Sequence, residues 1–330
     1  MRCAVVGAGA WGTALANVLA DNGHPTVVWA YEKDVANAIN EAHENHRFLP
    51  GVVLTPDLRA SSDKQATVMA AELIIFATPS HVLRDVASST RAWVAADATL
   101  VAATKGIERE RLALMTDVLA EELPGRPVVA LSGPSFAAEV AARQPTAIVA
   151  ACVDSEAAGR AQQALSSPSF RVYTHDDVTG VELGGALKNV MAVATGISDG
   201  LGLGFNARAA LITRGLAEII RLGVRLGARP ATFAGLAGLG DLVLTCTGAL
   251  SRNRAVGLEI GRGASLSEVL AARETVAEGV TTAESAKALS EREGIEMPIV
   301  NAVHRVLFER QPARWALVEL MTRDLRGEED

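Results

Sequence analysis

Aromatic side chains make up only 4% of this chain, and cysteine occurs three times, at Cys3, Cys152 and Cys246, with no C-x-x-C spacing. That scarcity excludes a disulfide framework and a cysteine-based metal site, and it fits a reducing compartment. The six histidines are dispersed, and His43 and His46 fall in a polar stretch where solvated side chains are expected, so no metal site is predicted. An excess of positive charge is also lacking: 31 Lys and Arg stand against 38 Asp and Glu, for a net charge of -7. This argues against nucleic acid or an anionic membrane as partner, and requires any anionic substrate to meet cations concentrated locally. Ala4 to Ala20 has the apolar character of a signal peptide, but its glycine spacing assigns it to another element. With no other long apolar run, a cytoplasmic protein without a membrane span is expected.

At 330 residues, two domains are the default. Arg2 to Val6 reads as a strand that breaks into Gly7-Ala8-Gly9-Ala10-Trp11-Gly12 and then a helical pattern, with a second strand at Thr26 to Trp29. This is G-x-G-x-x-G between strand and helix, the setting of a dinucleotide site. Gly7 makes the tight turn, Gly9 admits a pyrophosphate, Gly12 lets helix and strand pack, and the helix N-terminus faces the phosphates. After the second strand come Ala30, Tyr31, Glu32 and Lys33. Glu32 favours NAD, whereas Ala30 leaves space and Lys33 or Arg47 could meet a 2'-phosphate, so NAD and NADP both stand.

Further strands end at Thr78-Pro79-Ser80, Thr104-Lys105-Gly106 and Ser132-Gly133-Pro134-Ser135, and Ala147 to Ala151 and Phe170 to Tyr173 read as the last strands. Their alternation with helical segments predicts a doubly wound, mostly parallel α/β Rossmann sheet over residues 1–178. Lys105, Gly133 and Ser135 lie at strand C-terminal ends, where ligands bind; an exposed loop cation and an ordinary turn are the plain alternatives. From residue 179 to 330 the pattern is helical, predicting an all-α C-terminal domain with segments near 181–197, 206–227, 252–261, 265–273, 281–293 and 298–309.

The segment 181–197 is apolar or small almost throughout and carries only Glu182 and Lys188 as charges. A lysine in a helix hydrophobic all round needs a compensating reason, either snorkelling to the surface or a task. Neighbouring Asn189 and the pair Gly184-Gly185, which leave room for a ligand where the lysine leans, favour the task. Burial also lowers a lysine pKa toward the range of proton exchange. Downstream, Asp241 sits in a glycine-rich turn with Thr245 four residues on. It reads as a cap or turn aspartate, or as an acceptor orienting Lys188 or a substrate hydroxyl. Ser251-Arg252-Asn253 reads as a helix N-cap, or as a phosphate cradle built from that N-terminus. Glu278 reads as a solvated turn acid. Trp11 either walls the cofactor site or packs between domains.

The chain resembles the bacterial-type NAD(P)-dependent sn-glycerol-3-phosphate dehydrogenases over nearly its whole length, through GAGAWGTALA, KGIE at Lys105, SGPSFAAEV at Ser132, ELGGALKNV at Glu182, GLGFNARAALITRGLAEI, GLAGLGDLVLTC, LSRNRAVG and VAEGVTTA in this order. The resemblance implies NAD(P)H-dependent, reversible reduction of dihydroxyacetone phosphate to sn-glycerol 3-phosphate, supplying glycerophospholipid synthesis. It implies Lys188 as the proton acceptor and donor, with Lys105, Gly133, Ser135, Asp241, Ser251, Arg252 and Asn253 around the substrate and Asn189 and Thr245 in its pocket. Ala10, Trp11, Lys105, Ala137, Arg252, Val276 and Glu278 match cofactor contacts, as Tyr31 does by position. Tyr31-Glu32 departs from the arginine or histidine frequent there, which weighs against a strong NADP preference.

The apolar helical half makes a homodimer a reasonable expectation. Two other functions compete: a dehydrogenase of similar build for a hydroxy or sugar acid, and a nucleotide-sensing protein that binds cofactor without turnover. Lys188-Asn189 together with Ser251-Arg252-Asn253 argues against the first, and Lys188 in its apolar helix against the second.

Overall fold

The computed structural model describes residues 1–273, 277–324 and 327; Val276, expected among the cofactor contacts, lies outside them. Ten strands are formed: β1 Cys3–Val6, β2 Thr26–Trp29, β3 Glu44–Asn45, β4 Leu49–Val53, β5 Arg59–Ser61, β6 Leu73–Phe76, β7 Thr99–Ala102, β8 Val128–Ser132, β9 Thr146–Ala151 and β10 Phe170–His175. Eight make one sheet in the order β10-β9-β8-β7-β6-β1-β2-β5, and β3 and β4 pair separately. β1, β6 and β7 are buried at every position, as continuous apolar strands covered by helices on both faces should be. Every pair in the large sheet is parallel except β8 with β9. The chain turns back there at one end of the sheet through the short helix Ala137–Ala141 instead of crossing over, which leaves Gly133 to Ala137 along the edge where β7 and β8 finish. The order reverses at β1, between β2 and β6, so the switch-point crevice lies beside the first glycine-rich turn.

After β10 the chain is helical among the described residues. The helix Val178–Gly200 starts on Asp177, whose side chain accepts from Gly180 N at 2.9 Å, and it is buried without interruption from Leu183 to Ser198. Around it pack Gly204–Arg225, Asp241–Thr247, Arg252–Gly261, Glu278–Glu293 and Pro298–Phe308. The sequence pattern placed no helix at Asp241–Thr247, because LAGLG reads as a turn. That turn is a π-helical segment, Leu236–Gly240, which runs straight into the helix. The final helix, Ala313–Met321, was likewise not anticipated.

The tightest helix contact is between Val178–Gly200 and Arg252–Gly261. A Cβ on Gly196 would stand 2.1 Å from the Arg254 carbonyl oxygen, and one on Gly257 2.1 Å from that of Val193. One turn on, Gly200 and Gly261 repeat the contact at 2.4 Å each, against the carbonyls of Leu258 and Ile197. The glycines are there so that backbone can meet backbone.

Candidate active site

The nucleotide-binding turn is built as its sequence demands. Gly7 has φ +118°, and a Cβ on Gly12 would lie 1.9 Å from the Gly7 carbonyl oxygen, so neither position tolerates a side chain. Gly9 is the opposite case, since nothing stands within 4 Å of a Cβ there. Gly9 is also the N-cap of the helix Ala10–Asp21 and no side chain caps that end, so the first-turn amides face open space. An uncapped helix N-terminus over a cleared glycine fits a dinucleotide pyrophosphate.

Ala10, Trp11 and Ala137 pack half-buried on the core of this same sheet. The buried Nε1 of Trp11 has no hydrogen-bond partner among the described residues. Tyr31 is 80% exposed and meets Trp29 edge to face, with ring centroids 6.3 Å apart.

A charged cluster forms where the helical half meets the ends of β7 and β8. Asp241 is 0% exposed. Its Oδ2 accepts from Lys105 Nζ at 2.7 Å, and its Oδ1 accepts from Lys188 Nζ. Thr245 Oγ1 donates to the Asp241 carbonyl at 2.6 Å, one helical turn back. Lys105 also reaches the Gly133 carbonyl at 3.4 Å, which in turn accepts from Ser135 Oγ at 2.9 Å. Of the readings the sequence offers for Asp241, a cap or an acceptor for Lys188 or a substrate hydroxyl, the structure has it accepting from Lys188, and from Lys105 as well.

Lys188 does not snorkel: it is 7% exposed. Burial, and then the second ammonium at Lys105, pull its pKa down to about 7 against the raising effect of Asp241. Asp241, flanked by two cations, is held below the ordinary carboxylate range although burial opposes this. With Lys188 protonated the triad sums to one positive charge, a local cation within an acidic protein.

The glycines before Lys188 do not leave room for a ligand. A Cβ on Gly184 would lie 2.5 Å from the Ala237 carbonyl oxygen, and one on Gly185 2.4 Å from Ser132 Oγ. Their work is to bring the lysine helix against the π-helical turn and the end of β8.

The next residue, Asn189, joins a second cluster. Asn253 Nδ2 donates to Asn189 Oδ1 at 2.9 Å, while Asn253 Oδ1 accepts from Gly279 N at 2.9 Å. One Asn253 amide hydrogen is left over. Ser251 caps the helix Arg252–Gly261 by accepting from Arg254 N at 3.2 Å. Among the described residues Arg252 has no hydrogen-bond or ion-pair partner; burial lowers its pKa, and Glu278 acts the other way.

Glu278 is not a solvated turn acid. It opens the helix Glu278–Glu293, accepts from Ser80 N at 3.2 Å and from Ser80 Oγ at 2.7 Å, and has its pKa raised by burial. Ser80 was missed as its partner, although it stands in the Thr78-Pro79-Ser80 strand end already marked by the sequence. The fold thus gathers Lys105, Gly133, Ser135, Lys188, Asp241 and Thr245 into one network, and Asn189, Ser251, Asn253 and Glu278 beside it. Among the described residues no group of three or more His, Cys, Asp or Glu could hold a metal.

Comparison with known proteins shows the family. Residues 2–158 match the family model for the NAD-dependent glycerol-3-phosphate dehydrogenase N-terminus, and residues 177–318 that for its C-terminus. A glycerol-3-phosphate dehydrogenase (NAD(P)+) of Geobacter sulfurreducens is 52% identical over 330 residues, covering 99% of this chain and 98% of its own. One of the same name from Myxococcus xanthus is 50% identical, covering 99% of each. The crystal structure of glycerol-3-phosphate dehydrogenase from Coxiella burnetii superposes with a TM-score of 0.94 at 42% identity, over 98% of this chain and 99% of that one. With both family models matched and half the residues shared with full-length relatives, the chain belongs to the NAD-dependent glycerol-3-phosphate dehydrogenases.

Proposed function

We propose that this protein catalyses the reversible, NAD(P)H-dependent reduction of dihydroxyacetone phosphate to sn-glycerol 3-phosphate. The observation that carries the reading is a lysine amine buried in an apolar helix, paired to a fully buried carboxylate and faced by a second lysine. When bound, the nicotinamide supplies or takes the hydride. The chain's own residues supply the rest. During reduction Lys188 gives a proton from its ammonium to the carbonyl oxygen, and during oxidation its neutral amine takes the hydroxyl proton. Asp241 holds that amine in place, and Thr245 braces Asp241. Lys105 offsets the charge that grows on the oxygen as hydride arrives. Gly133 and Ser135 bound the substrate from the sheet side. The N-terminus of Arg252–Gly261, with Ser251, Arg252 and the spare amide hydrogen of Asn253, receives the phosphate.

Residues 1–178 act as the cofactor half, through Gly7, Gly9, Ala10, Trp11, Gly12 and Ala137, with Arg252 and Glu278 closing from 179–330. Tyr31 and Glu32 leave the choice between NAD and NADP to experiment. The half-buried apolar face of Gly204–Arg225, with Phe205 80% and Val224 46% exposed, supports a homodimer. The apolar stretch Pro230–Thr247 is broken into short pieces and carries the buried Asp241, which supports a protein without a membrane span. The product is a precursor for glycerophospholipid synthesis.

Lys188→Ala tests the reading. Cofactor binding should survive while turnover falls by roughly 10² or more, the scale of lost acid–base catalysis. Turnover at the wild-type rate would sink it.

A further inference from the structure

A carboxylate near a helix C-terminus faces the negative end of the helix dipole. Asp199 is so placed, one residue before the end of Val178–Gly200, with its side chain only 7% exposed. Two guanidiniums compensate it. Arg254 donates from Nε at 2.8 Å to Oδ2, and its Nη2 lies 2.7 Å from the same oxygen. Arg208 donates to Oδ1 from Nε at 2.9 Å and from Nη2 at 2.6 Å, and it lies over the Phe205 ring at 5.2 Å.

Arg254 belongs to the first turn of the helix that presents Arg252 and Asn253. That helix lies on the Lys188 helix through a glycine seam where backbone meets backbone, with Val256 and Ile260 buried in the same core as Val193 and Ile197. The seam sets how closely the helices approach, and its glycines on this helix, Gly257 and Gly261, lie beyond the first turn. Two polar pins cross it: Asn253 to Asn189 at 2.9 Å, and Arg254 to Asp199. The second also draws the Arg254 guanidinium onto Asp199, leaving Arg252 as the cation without a described partner.

We infer that Asp199 is a positioning residue for the phosphate cradle: through Arg254 it fixes the rotation of the first turn of Arg252–Gly261, and so the direction in which Arg252 and Asn253 face. This rests on the proposed reading that Ser251, Arg252 and Asn253 receive the substrate phosphate.

Asp199→Asn keeps the shape and removes the charge that holds both guanidiniums. The KM for dihydroxyacetone phosphate and the Ki of inorganic phosphate as a competitive inhibitor should both rise about tenfold, the scale of a misdirected charged contact. The kcat should stay within about twofold, and Asp199→Glu should restore part of the loss. Unchanged KM and Ki, or a fall in kcat with both constants unmoved, would overturn the inference. If Asp199→Asn does not fold, Arg254→Lys, which removes the forked contact but keeps the charge, carries the same expectation. Arg252→Ala run alongside separates the two levels. If it leaves KM and Ki unmoved, the cradle reading itself fails; if it raises them while Asp199→Asn does not, only the positioning role fails.

Discussion

Replacing Asp241 by asparagine changes one atom type at the centre of the site and leaves the volume intact. In the native protein the carboxylate accepts from Lys105 at 2.7 Å with one oxygen and from Lys188 with the other, at 0% exposure. An asparagine can accept from one ammonium only, and turns its NH2 toward the other. Leaving a buried charge unpaired costs about 3–5 kcal/mol, a penalty the protein escapes by losing a proton instead. Lys188 is the group that yields, because burial and Lys105 already hold its pKa near 7 and Asp241 is what raises it. In Asp241→Asn it should be neutral throughout the physiological range. A neutral amine cannot donate, so reduction of dihydroxyacetone phosphate near pH 7.5 should fall roughly 10²–10⁴-fold. The assay is the pH dependence of kcat/KM in both directions, followed by nicotinamide absorbance. In wild type, reduction falls and oxidation rises as pH climbs through about 7, since one needs the ammonium and the other the amine. In the variant the reduction limb should move to lower pH. For stability, a lysine pKa depressed on folding means that the folded native protein binds fewer protons than the unfolded chain between about 7 and the ordinary lysine value of 10.5, so stability rises with pH across that window, and in the variant the rise should begin at lower pH. A variant that reduces substrate at the native rate with an unshifted limb would refute the reasoning.

Arg252→Ala should raise the KM for dihydroxyacetone phosphate about tenfold or more and bring it level with unphosphorylated dihydroxyacetone as a poor substrate; a preserved preference for the phosphate would contradict the cradle. Gly257→Ala drives a methyl group to 2.1 Å from the Val193 carbonyl oxygen, so the helices must part. A loss of about 1–3 kcal/mol in urea unfolding is expected, and an unchanged midpoint would deny the seam. Glu218 caps the helix Pro298–Phe308 by accepting from Ile299 N at 2.7 Å and Val300 N at 3.3 Å, and burial raises its pKa to about 7. A carboxyl whose folded pKa is raised contributes stability at low pH that is lost as pH climbs from about 4.5 through 7. The Tm gap between wild type and Glu218→Gln should narrow over that window, and a constant gap would be the contrary result.

The parts of the site that could be read in the sequence are those where one residue is out of keeping with its neighbours. Gly7, Gly9 and Gly12 declare themselves because a strand-to-helix turn in that spacing has no other use, and Lys188 because an ammonium in an apolar helix is a contradiction that needs a partner. What the sequence could not supply is which distant residues meet. Asp241 lies 136 positions from Lys105 and 53 from Lys188, and its local surroundings show only a glycine-rich turn. Glu278 reads as exposed because the residue that donates to it, Ser80, is 198 positions away. Gly184 and Gly185 were noticed for the right reason, missing side chains, but the space is filled by Ala237 and Ser132 of the chain itself. The reversal of β9 is similarly silent, since a buried apolar strand has the same composition in either direction.

The most direct test of the account is the loss of nicotinamide absorbance when the purified protein meets dihydroxyacetone phosphate, with NADH and NADPH in parallel and unphosphorylated dihydroxyacetone as control. Turnover that depends on the substrate phosphate is the predicted result, and the ratio of the two cofactor rates then says whether Glu32 or the nearby cations Lys33 and Arg47 govern cofactor choice. Protein that binds cofactor but turns over dihydroxyacetone phosphate with neither would contradict the account.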